Sequence, residues 1–219
     1  HIAHPDFRED LMRAARERHF VYSDQIVVEE AGAPELEDLY TDVNLSDGTE
    51  VHIRPIQPTD EPLIQELFYR SSDQTRYMRF MAPVKALPHR QAQGLIDVDY
   101  TNALALVATV KEGERDVIVA VGRYYRDEST NYADCAFTVR DDWQGRQRGR
   151  YLVNRLIEVA RSNDIAGFTA DVLMQNTRMM HVFHECAPAP IKSRMEGTSY
   201  HIEFSLEPEP ATEHEPVKE

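Results

Sequence analysis

The stretch Trp143-Gln144-Gly145-Arg146-Gln147-Arg148-Gly149-Arg150 lies between an apolar segment and an amphipathic helical pattern. A strand, a glycine-containing loop and a helix N-terminus in this order form an anion site. The first N–H groups of the helix lack intrahelical partners, and the helix dipole favours negative charge there. Three arginines add side chains that pair well with phosphate. Taken alone, the stretch has two interpretations, a phosphate-binding loop and a plain helix start with solvated arginines, and the surrounding segments favour the first.

The segments around this loop predict an α+β fold. The main helix is expected over residues 147–162, where apolar residues recur with helical spacing. Asp47-Gly48 predicts a hairpin turn between two short strands, the second of them at 51–55. Further strands, rich in apolar, β-branched and aromatic residues, are predicted at 103–110, 117–125, 133–139, 168–174, 191–195 and 199–206. Shorter helices are predicted at 6–18, after 59–61, at 71–80, 89–96 and 177–185. Together they predict a mixed, mostly antiparallel sheet with helices on both faces.

The loop resembles the pyrophosphate motif of the GNAT superfamily of acyl-CoA-dependent N-acyltransferases, which reads Gln/Arg-x-x-Gly-x-Gly/Ala. The matching positions are Gln144, Gln147 and Gly149, so a glutamine stands where the family has its middle glycine. The glutamine keeps the backbone N–H. If its φ is negative the site survives, and if φ must be positive the strain is about 1 kcal/mol or more.

Three other segments carry the same resemblance, in the family's order. Asn176, followed by Met179, Met180 and Phe183, is similar to the family's Asn-x-x-Met helix. Residues 51–56 and 75–80 resemble the first strand and first helices of the protein-acetylating branch. The likeness spans roughly residues 50–206 and implies a GNAT-like fold in which strands 133–139 and 168–174 splay apart to hold an acyl-CoA.

The resemblance implies acetyl-CoA as cofactor and a set of binding residues. Backbone groups of the strand before the loop pair with the pantetheine arm, the loop N–H groups hold the pyrophosphate, and the three loop arginines reach for phosphate. Asn176 has two readings, a polar contact to the cofactor and a helix N-cap. The cofactor-binding residues implied are Phe137, Thr138, Val139, Gln144, Gly145, Arg146, Gln147, Arg148, Gly149, Arg150, Asn176 and Phe183.

The resemblance also implies a general base on the strand before the loop. In the protein-acetylating branch this residue is a glutamate, and Asp134 stands at its position. Many members protonate the leaving thiolate with a tyrosine whose position here is Phe183, which cannot donate a proton. Tyr132, Tyr124, Tyr125 or solvent are the alternatives. Cys135 is not expected to act as nucleophile, because strand alternation puts it on the face opposite Asp134.

Composition excludes some classes of partner. The chain has 24 basic and 38 acidic residues, a net charge of −14, so nucleic acid is not expected as a partner. The acidic surface suits a lysine-bearing or polyamine substrate, although acidity also serves solubility alone. No apolar run approaches ~18 residues, so no membrane span is expected. Two cysteines indicate a cytoplasmic protein, and the histidines lack zinc spacing, so no metal is expected.

Three regions are expected along the chain. Residues 1–44 form an N-terminal helix and a linker, the linker at 29–42; residues 45–206 form the GNAT domain, and 207–219 a disordered acidic Pro/Glu tail. Residues 1–14 resemble the closing segment of acetyl-CoA hydrolase/CoA-transferase proteins, which implies an attached CoA-transferase domain. The expected function is transfer of acetyl from acetyl-CoA to an amine, above all a protein lysine. The alternatives are a non-catalytic acyl-CoA-binding regulatory module and a structural domain that has lost the cofactor.

Overall fold

The structure, a computed structural model, describes residues 5–22, 25, 36–45, 47–145 and 148–207. Eight strands form one open sheet in the order β1-β2-β3-β4-β5-β6-β8-β7. Every neighbouring pair is antiparallel except β5 and β6, which are parallel. The prediction of a mixed, mostly antiparallel sheet is therefore confirmed. The strands are β1 (Thr41–Asn44), β2 (Glu50–Pro55), β3 (Ala103–Glu112), β4 (Arg115–Asp127), β5 (Tyr132–Val139), β6 (Gly167–Leu173), β7 (Lys192–Glu196) and β8 (Ser199–Ser205).

Helices cover both faces of the sheet, as the sequence predicts. Side chains alternate between the two faces along β4. Val121 lines a pocket together with Phe68 of α2 (Glu61–Arg70), whereas Gly122 faces the other way, beside Leu152 of α5 (Arg148–Ser162). The middle of β3 is consequently buried on both faces, from residue 104 to residue 110. The helices are α1 (Pro5–Glu17), α2 (Glu61–Arg70), α3 (Asp73–Phe80), α4 (His89–Ile96), α5 (Arg148–Ser162) and α6 (Thr177–Cys186).

Two turns define the register of the first hairpins. Gly48 takes a φ of +81°, and Leu45 N–H donates to the Thr49 carbonyl at 2.9 Å, which confirms the Asp-Gly turn. The β3–β4 ladder runs as far as the Glu112–Arg115 pair, so the turn between these strands contains only residues 113 and 114. Gly113 enters this turn with a φ of +68°. Both strands are therefore longer than the apolar pattern alone indicates.

The linker predicted over residues 29–42 is wrong at its C-terminal end. A 3-10 helix at Leu36–Leu39 and the start of β1 at Thr41 occupy that end, and Leu39 is buried. The sequence did not predict this strand because its residues are acidic. An edge strand leaves one face in water, and Asp42 lies on that exposed face. Residues 26–35, like the predicted tail from 208 onward, lie outside the described residues.

Candidate functional site

The parallel strands β5 and β6 pair over only three positions and then part. Their ladder runs from the Tyr132–Gly167 pair to the Asp134–Thr169 pair, although β5 continues to Val139 and stays paired with β4 on its other side. The C-terminal half of β5 therefore borders a gap on the side of β6. This is the splayed strand pair that the sequence comparison implies.

Backbone groups of β5 point into this gap. Arg140 N–H donates to the Val119 carbonyl of β4 at 2.9 Å. Because hydrogen-bonding direction alternates along an antiparallel strand, Phe137 and Val139 direct their N–H and carbonyl groups away from β4, toward the gap. A linear ligand with amide groups can pair with such an edge as an added strand does. The N–H and carbonyl groups of Thr138 point toward β4, and its side chain lies on the sheet face opposite the side chains of Phe137 and Val139.

Helix α5 begins where the gap opens. The chain leaves β5 through a 3-10 turn, Asp141–Trp143, passes Gly145 with a φ of +81°, and enters α5 at Arg148. The first N–H groups of α5 lack intrahelical partners, so this end of the helix favours an anion. A Cβ on Gly149 would lie 3.8 Å from Val139 Cγ2, an ordinary contact, so packing alone does not require glycine there. Arg146, Gln147 and the Arg148 side chain lie outside the described part of the loop.

The side chain of Gln144 anchors the loop to the neighbouring elements. Its Nε2 donates to the Val139 carbonyl at 2.9 Å and to Thr75 Oγ1 at 3.1 Å, while its Oε1 accepts from Arg178 Nη1 at 3.2 Å. Its backbone N–H donates to the Asp141 carbonyl at 3.2 Å. Gln144 therefore ties the loop to β5, α3 and α6, and its polar groups are already engaged within the protein.

Asp141 joins the same loop to helix α3. Its carboxylate accepts from Ser72 N–H at 2.7 Å, from Ser72 Oγ at 2.6 Å and from Thr75 Oγ1 at 2.8 Å. Partial burial opposes ionisation, but these hydrogen bonds outweigh it and hold the pKa of Asp141 below its usual value. Thr75 receives a second contact from Gln144, so the start of α3 is held against the loop at two points.

Three residues that were expected to bind the cofactor instead contact other groups of the protein. Arg150 Nε lies 3.6 Å from Glu185 Oε2 of α6, so its side chain faces that helix. Asn176 Oδ1 accepts from Met179 N–H at 3.2 Å, which is the N-cap reading of this residue. Phe183 is buried, with its ring 5.9 Å from those of Phe137 and Phe204. It supports the strand edge from behind.

Asp134 stands at the last paired position before the strands part. The register places it opposite Tyr125 of β4 and Thr169 of β6, on the sheet face covered by α3. The carboxyl is exposed, yet partial desolvation, followed by the nearby charge of Asp171, raises its pKa. Arg79 of α3 and His201 act in the opposite direction. A carboxylate with a raised pKa at the mouth of a cleft is a candidate general base.

The cluster around Asp134 contains residues that the sequence analysis missed. Asp171 lies two residues beyond Thr169 on β6, and His201 lies opposite it on β8, with Nδ1 2.8 Å from Asp171 Oδ1. Asp171 could have been found from the sequence, because it is a charged residue inside the apolar run of β6. Nothing local marks Arg79, because only the packing of α3 on β5 brings it to this face.

The remaining candidates for proton transfer lie apart from the gap. Tyr124 is fully buried, accepts from Asn163 Nδ2 at 2.7 Å and donates to the Thr101 carbonyl at 3.1 Å. Burial raises its pKa to about 12. Tyr132 packs over Gly167 at the closed end of the β5–β6 ladder. Tyr125 lies directly opposite Asp134 on the neighbouring strand β4 and on the same face of the sheet.

Cys135 occupies the opposite face from Asp134, as strand alternation predicts. It is buried, and burial raises the pKa of its thiol well above the usual value. Among the described residues, one group of potential metal ligands occurs, Asp42, Glu50 and His52 on the β1–β2 hairpin. That hairpin is the opposite edge of the sheet from β7 and lies four strands away from β6. The described helices include none with the length and apolar character to cross a membrane.

Comparison with known proteins agrees with this geometry. The model of the acetyltransferase (GNAT) family matches residues 66–187. An acetyltransferase of Pseudomonas aeruginosa is 34% identical over 120 residues, which are 55% of this chain and 64% of that protein. Acetyltransferase Pat of Mycolicibacterium smegmatis is 32% identical over 144 residues, 64% of this chain and 41% of that protein. The chain thus spans less than two thirds of either relative.

A solved structure shares the architecture. The GNAT domain of S. lividans PAT superposes with a TM-score of 0.70 at 27% identity, covering 78% of this chain and 98% of that domain. The matched family segment contains the gap, the loop, the start of α5 and Asp134.

Proposed function

Because the chain belongs to the acetyltransferase (GNAT) family, we propose that it transfers an acetyl group from acetyl-CoA to a primary amine, the side chain of a protein lysine. One observation carries the proposal. The β5–β6 ladder ends at Asp134, so a carboxylate, a free strand edge and a helix N-terminus surround one gap. The similarity to acetyltransferase Pat and to the GNAT domain of S. lividans PAT supports the choice of a protein acceptor.

The residues present fit the pantetheine and pyrophosphate of acetyl-CoA. The Phe137 N–H and carbonyl and the Val139 N–H face the gap, whereas the Val139 carbonyl is already taken by Gln144. Arg146, Arg148 and the N–H groups of residues 145–150 take the pyrophosphate. Thr138, Gln144, Asn176, Phe183 and Arg150 act indirectly, because they shape the edge, the loop and α6.

Asp134 acts as the general base. A free lysine has a pKa of about 10.4 and carries a proton at neutral pH, so the attacking nitrogen must lose one. Asp134 takes this proton, directly or through water, before the neutral nitrogen attacks the thioester carbonyl carbon, and solvent takes the second proton that the nitrogen loses as the amide forms. The new C–N bond replaces the C–S bond. The thiolate leaves and is protonated by solvent, since Phe183 has no proton to give. Acetyl-CoA supplies only the activated acyl group.

The acceptor reaches this site from the α3 face, where Asp134 and Asp171 present negative charge to an incoming ammonium group. We place the reaction in the cytoplasm, in agreement with two free cysteines. The attached CoA-transferase domain expected from residues 1–14 stays a prediction. Those residues begin outside the described part of the chain and continue into α1.

The test uses titration calorimetry of the purified chain with acetyl-CoA, followed by mass spectrometry of lysine peptides incubated with both. Saturable binding together with acetylated peptide supports the proposal. Saturable binding without product for any amine would identify a non-catalytic acyl-CoA-binding module. Absence of binding would leave a domain whose partners are proteins, and it would overturn the proposed reaction.

A further inference from the structure

A pocket with three arginines opens on the α2/α3 face of the sheet. We call it the arginine pocket, and its lining includes Arg76, Arg79, Arg123, Phe68, Phe80 and Thr138. Thr138 belongs to β5, four residues beyond Asp134 and on the same face of the strand. The pocket therefore lies beside the proposed base, on the side from which an acceptor approaches.

One of the three arginines is already neutralised. Arg76 pairs with Asp73 of its own helix and donates from Nη1 to the Phe68 carbonyl at 3.3 Å. Its guanidinium also lies 5.0 Å from the centre of the Phe68 ring. Arg76 therefore has an acidic partner that the other two arginines lack.

Arg79 and Arg123 have no carboxylate within hydrogen-bonding distance among the described residues. Arg123 is only 2% exposed, and its side chain donates from Nη1 to the Tyr125 hydroxyl at 3.0 Å, with no other side-chain hydrogen bond among the described residues. Arg79 lies 5.1 Å from the centre of the Phe80 ring and makes no hydrogen bond within the part of the chain that the structure describes. Burial, reinforced by the charge of Arg123, lowers the pKa of Arg79 to about 10.

Burying two adjacent guanidinium groups in an apolar surrounding costs free energy unless an anion pairs with them. A carboxylate meets this need best, since its two oxygens match the donor fork of a guanidinium. Asp134 acts on Arg79 only through space and without a hydrogen bond, so it does not fill this role. The apolar rings of Phe68 and Phe80 suit the methylene groups that carry a side-chain or acyl carboxylate.

We propose that the arginine pocket is a subsite for a carboxylate carried by one of the two substrates, with Arg79 as its specificity-determining residue. This inference rests on the proposed function, because the carboxylate is placed beside the reacting groups. Two substrates can supply it. One is an acidic side chain next to the acceptor lysine, and the other is the far end of a dicarboxylic acyl group on CoA.

The experiment compares matched substrates. Acceptor peptides carry Glu or Gln at each of the two positions on either side of one lysine, and the donors are acetyl-CoA and succinyl-CoA. The measured quantity is the ratio of kcat/KM between the charged and the neutral member of each pair. The peptide comparison and the donor comparison are the two arms of the experiment. In one of these arms we expect the wild type to favour the charged member by about 10-fold or more, as a charge-assisted hydrogen bond in a buried site allows.

Three variants test whether the pocket causes the preference. Arg79→Gln should bring the ratio close to one, chiefly through KM, and Arg79→Lys should keep part of it because a charge remains without the fork. Arg90→Gln, which changes an exposed arginine of α4 outside the pocket lining, is the matched control and should keep the wild-type ratio. A wild-type ratio near one in both arms, or a ratio that Arg79→Gln leaves unchanged, would overturn the subsite.

A measurement without turnover separates this inference from the proposed function. Calorimetry compares the Kd of succinyl-CoA with that of acetyl-CoA, and the Kd of the Glu peptides with that of the Gln peptides, for the wild type and Arg79→Gln. If no substrate pair gives product, the proposed reaction fails and these affinities decide the subsite alone. Tighter binding of a charged ligand that Arg79→Gln abolishes supports the subsite, and equal affinities overturn it.

Discussion

The Asp141 carboxylate accepts both the backbone N–H and the hydroxyl of Ser72, at 2.7 and 2.6 Å. Ser72 is the N-cap of α3, and Asp141 belongs to the turn that leads into the proposed pyrophosphate loop. The contact therefore fixes the helix that carries Arg79 relative to the loop that carries the cofactor groups. A change at either end is expected to reach the other.

Asp141→Ala should destabilise the protein by about 1–2 kcal/mol at neutral pH, as loss of a helix cap does. The folded-state pKa of Asp141 is depressed, so its contribution is present above the unfolded-state pKa, near 3.9, and is lost as pH falls through the folded-state value. Urea unfolding at several pH values measures the difference. Asp73→Asn, an exposed change on the same helix, is the control and should cost less than about 0.5 kcal/mol. A cost that persists unchanged into acid contradicts the prediction.

Asp134→Asn should remove turnover while leaving acetyl-CoA affinity within a few-fold of the wild type. The substitution preserves size and removes the proton acceptor, whereas the strand edge and loop stay in place. Steady-state kinetics and calorimetry measure the two quantities. An unchanged kcat would exclude Asp134 from the mechanism, and a large loss of affinity would show that its role is to bind the cofactor.

Asp171→Asn should shift the pH dependence of kcat/KM. The raised pKa of Asp134 predicts activity that falls as pH is lowered through a value above the usual one for aspartate. Partial desolvation is the larger cause of the raised pKa and remains in the variant, but the charge of Asp171 is removed, so the acidic limb should move to lower pH. A profile of kcat/KM against pH for both proteins checks this. A limb that stays in place, or that moves to higher pH, contradicts the arrangement.

Gly122→Ala should destabilise the protein by about 1–3 kcal/mol, the range for overpacking a core. A Cβ at this position would lie 2.6 Å from Phe137 Cε1, so the ring of Phe137, a residue of the strand edge at the gap, must shift. Gly94→Ala is the matched control, because nothing lies within 4 Å of its added Cβ and it sits in α4. That change should stabilise the protein by up to about 1 kcal/mol. Thermal unfolding of both variants gives the sign of each effect.

Gln144→Ala should weaken acetyl-CoA binding several-fold, since it releases Val139, Thr75 and Arg178 at once. Gln147→Gly, three residues along the same loop, should leave binding equal or tighter, because it restores the family's glycine. Calorimetry with acetyl-CoA compares the two. A large loss in Gln147→Gly would show that this side chain itself contacts the cofactor.

Much of the fold follows from local patterns. The apolar spacing of residues 89–96 predicted α4 with its observed bounds, and the apolar runs located β3 to β6 within two residues at each end. Failures came where local signals were weak. The edge strand β1 was read as linker because its charged face is exposed, and the ends of β4 depended on pairing with β3.

By itself, the sequence determined the order of elements and the loop at residues 143–150, because these depend on residue type and spacing along the chain, and the resemblance to the GNAT family implied Asp134 as the candidate base. The tertiary structure decided what each side chain faces. It ended the β5–β6 ladder at Asp134, occupied Gln144 with Val139 and Thr75, and brought Arg79 to Arg123. These are contacts between residues about 5 to 70 positions apart, and the packing of helices on the sheet, which no short sequence pattern encodes, determines them.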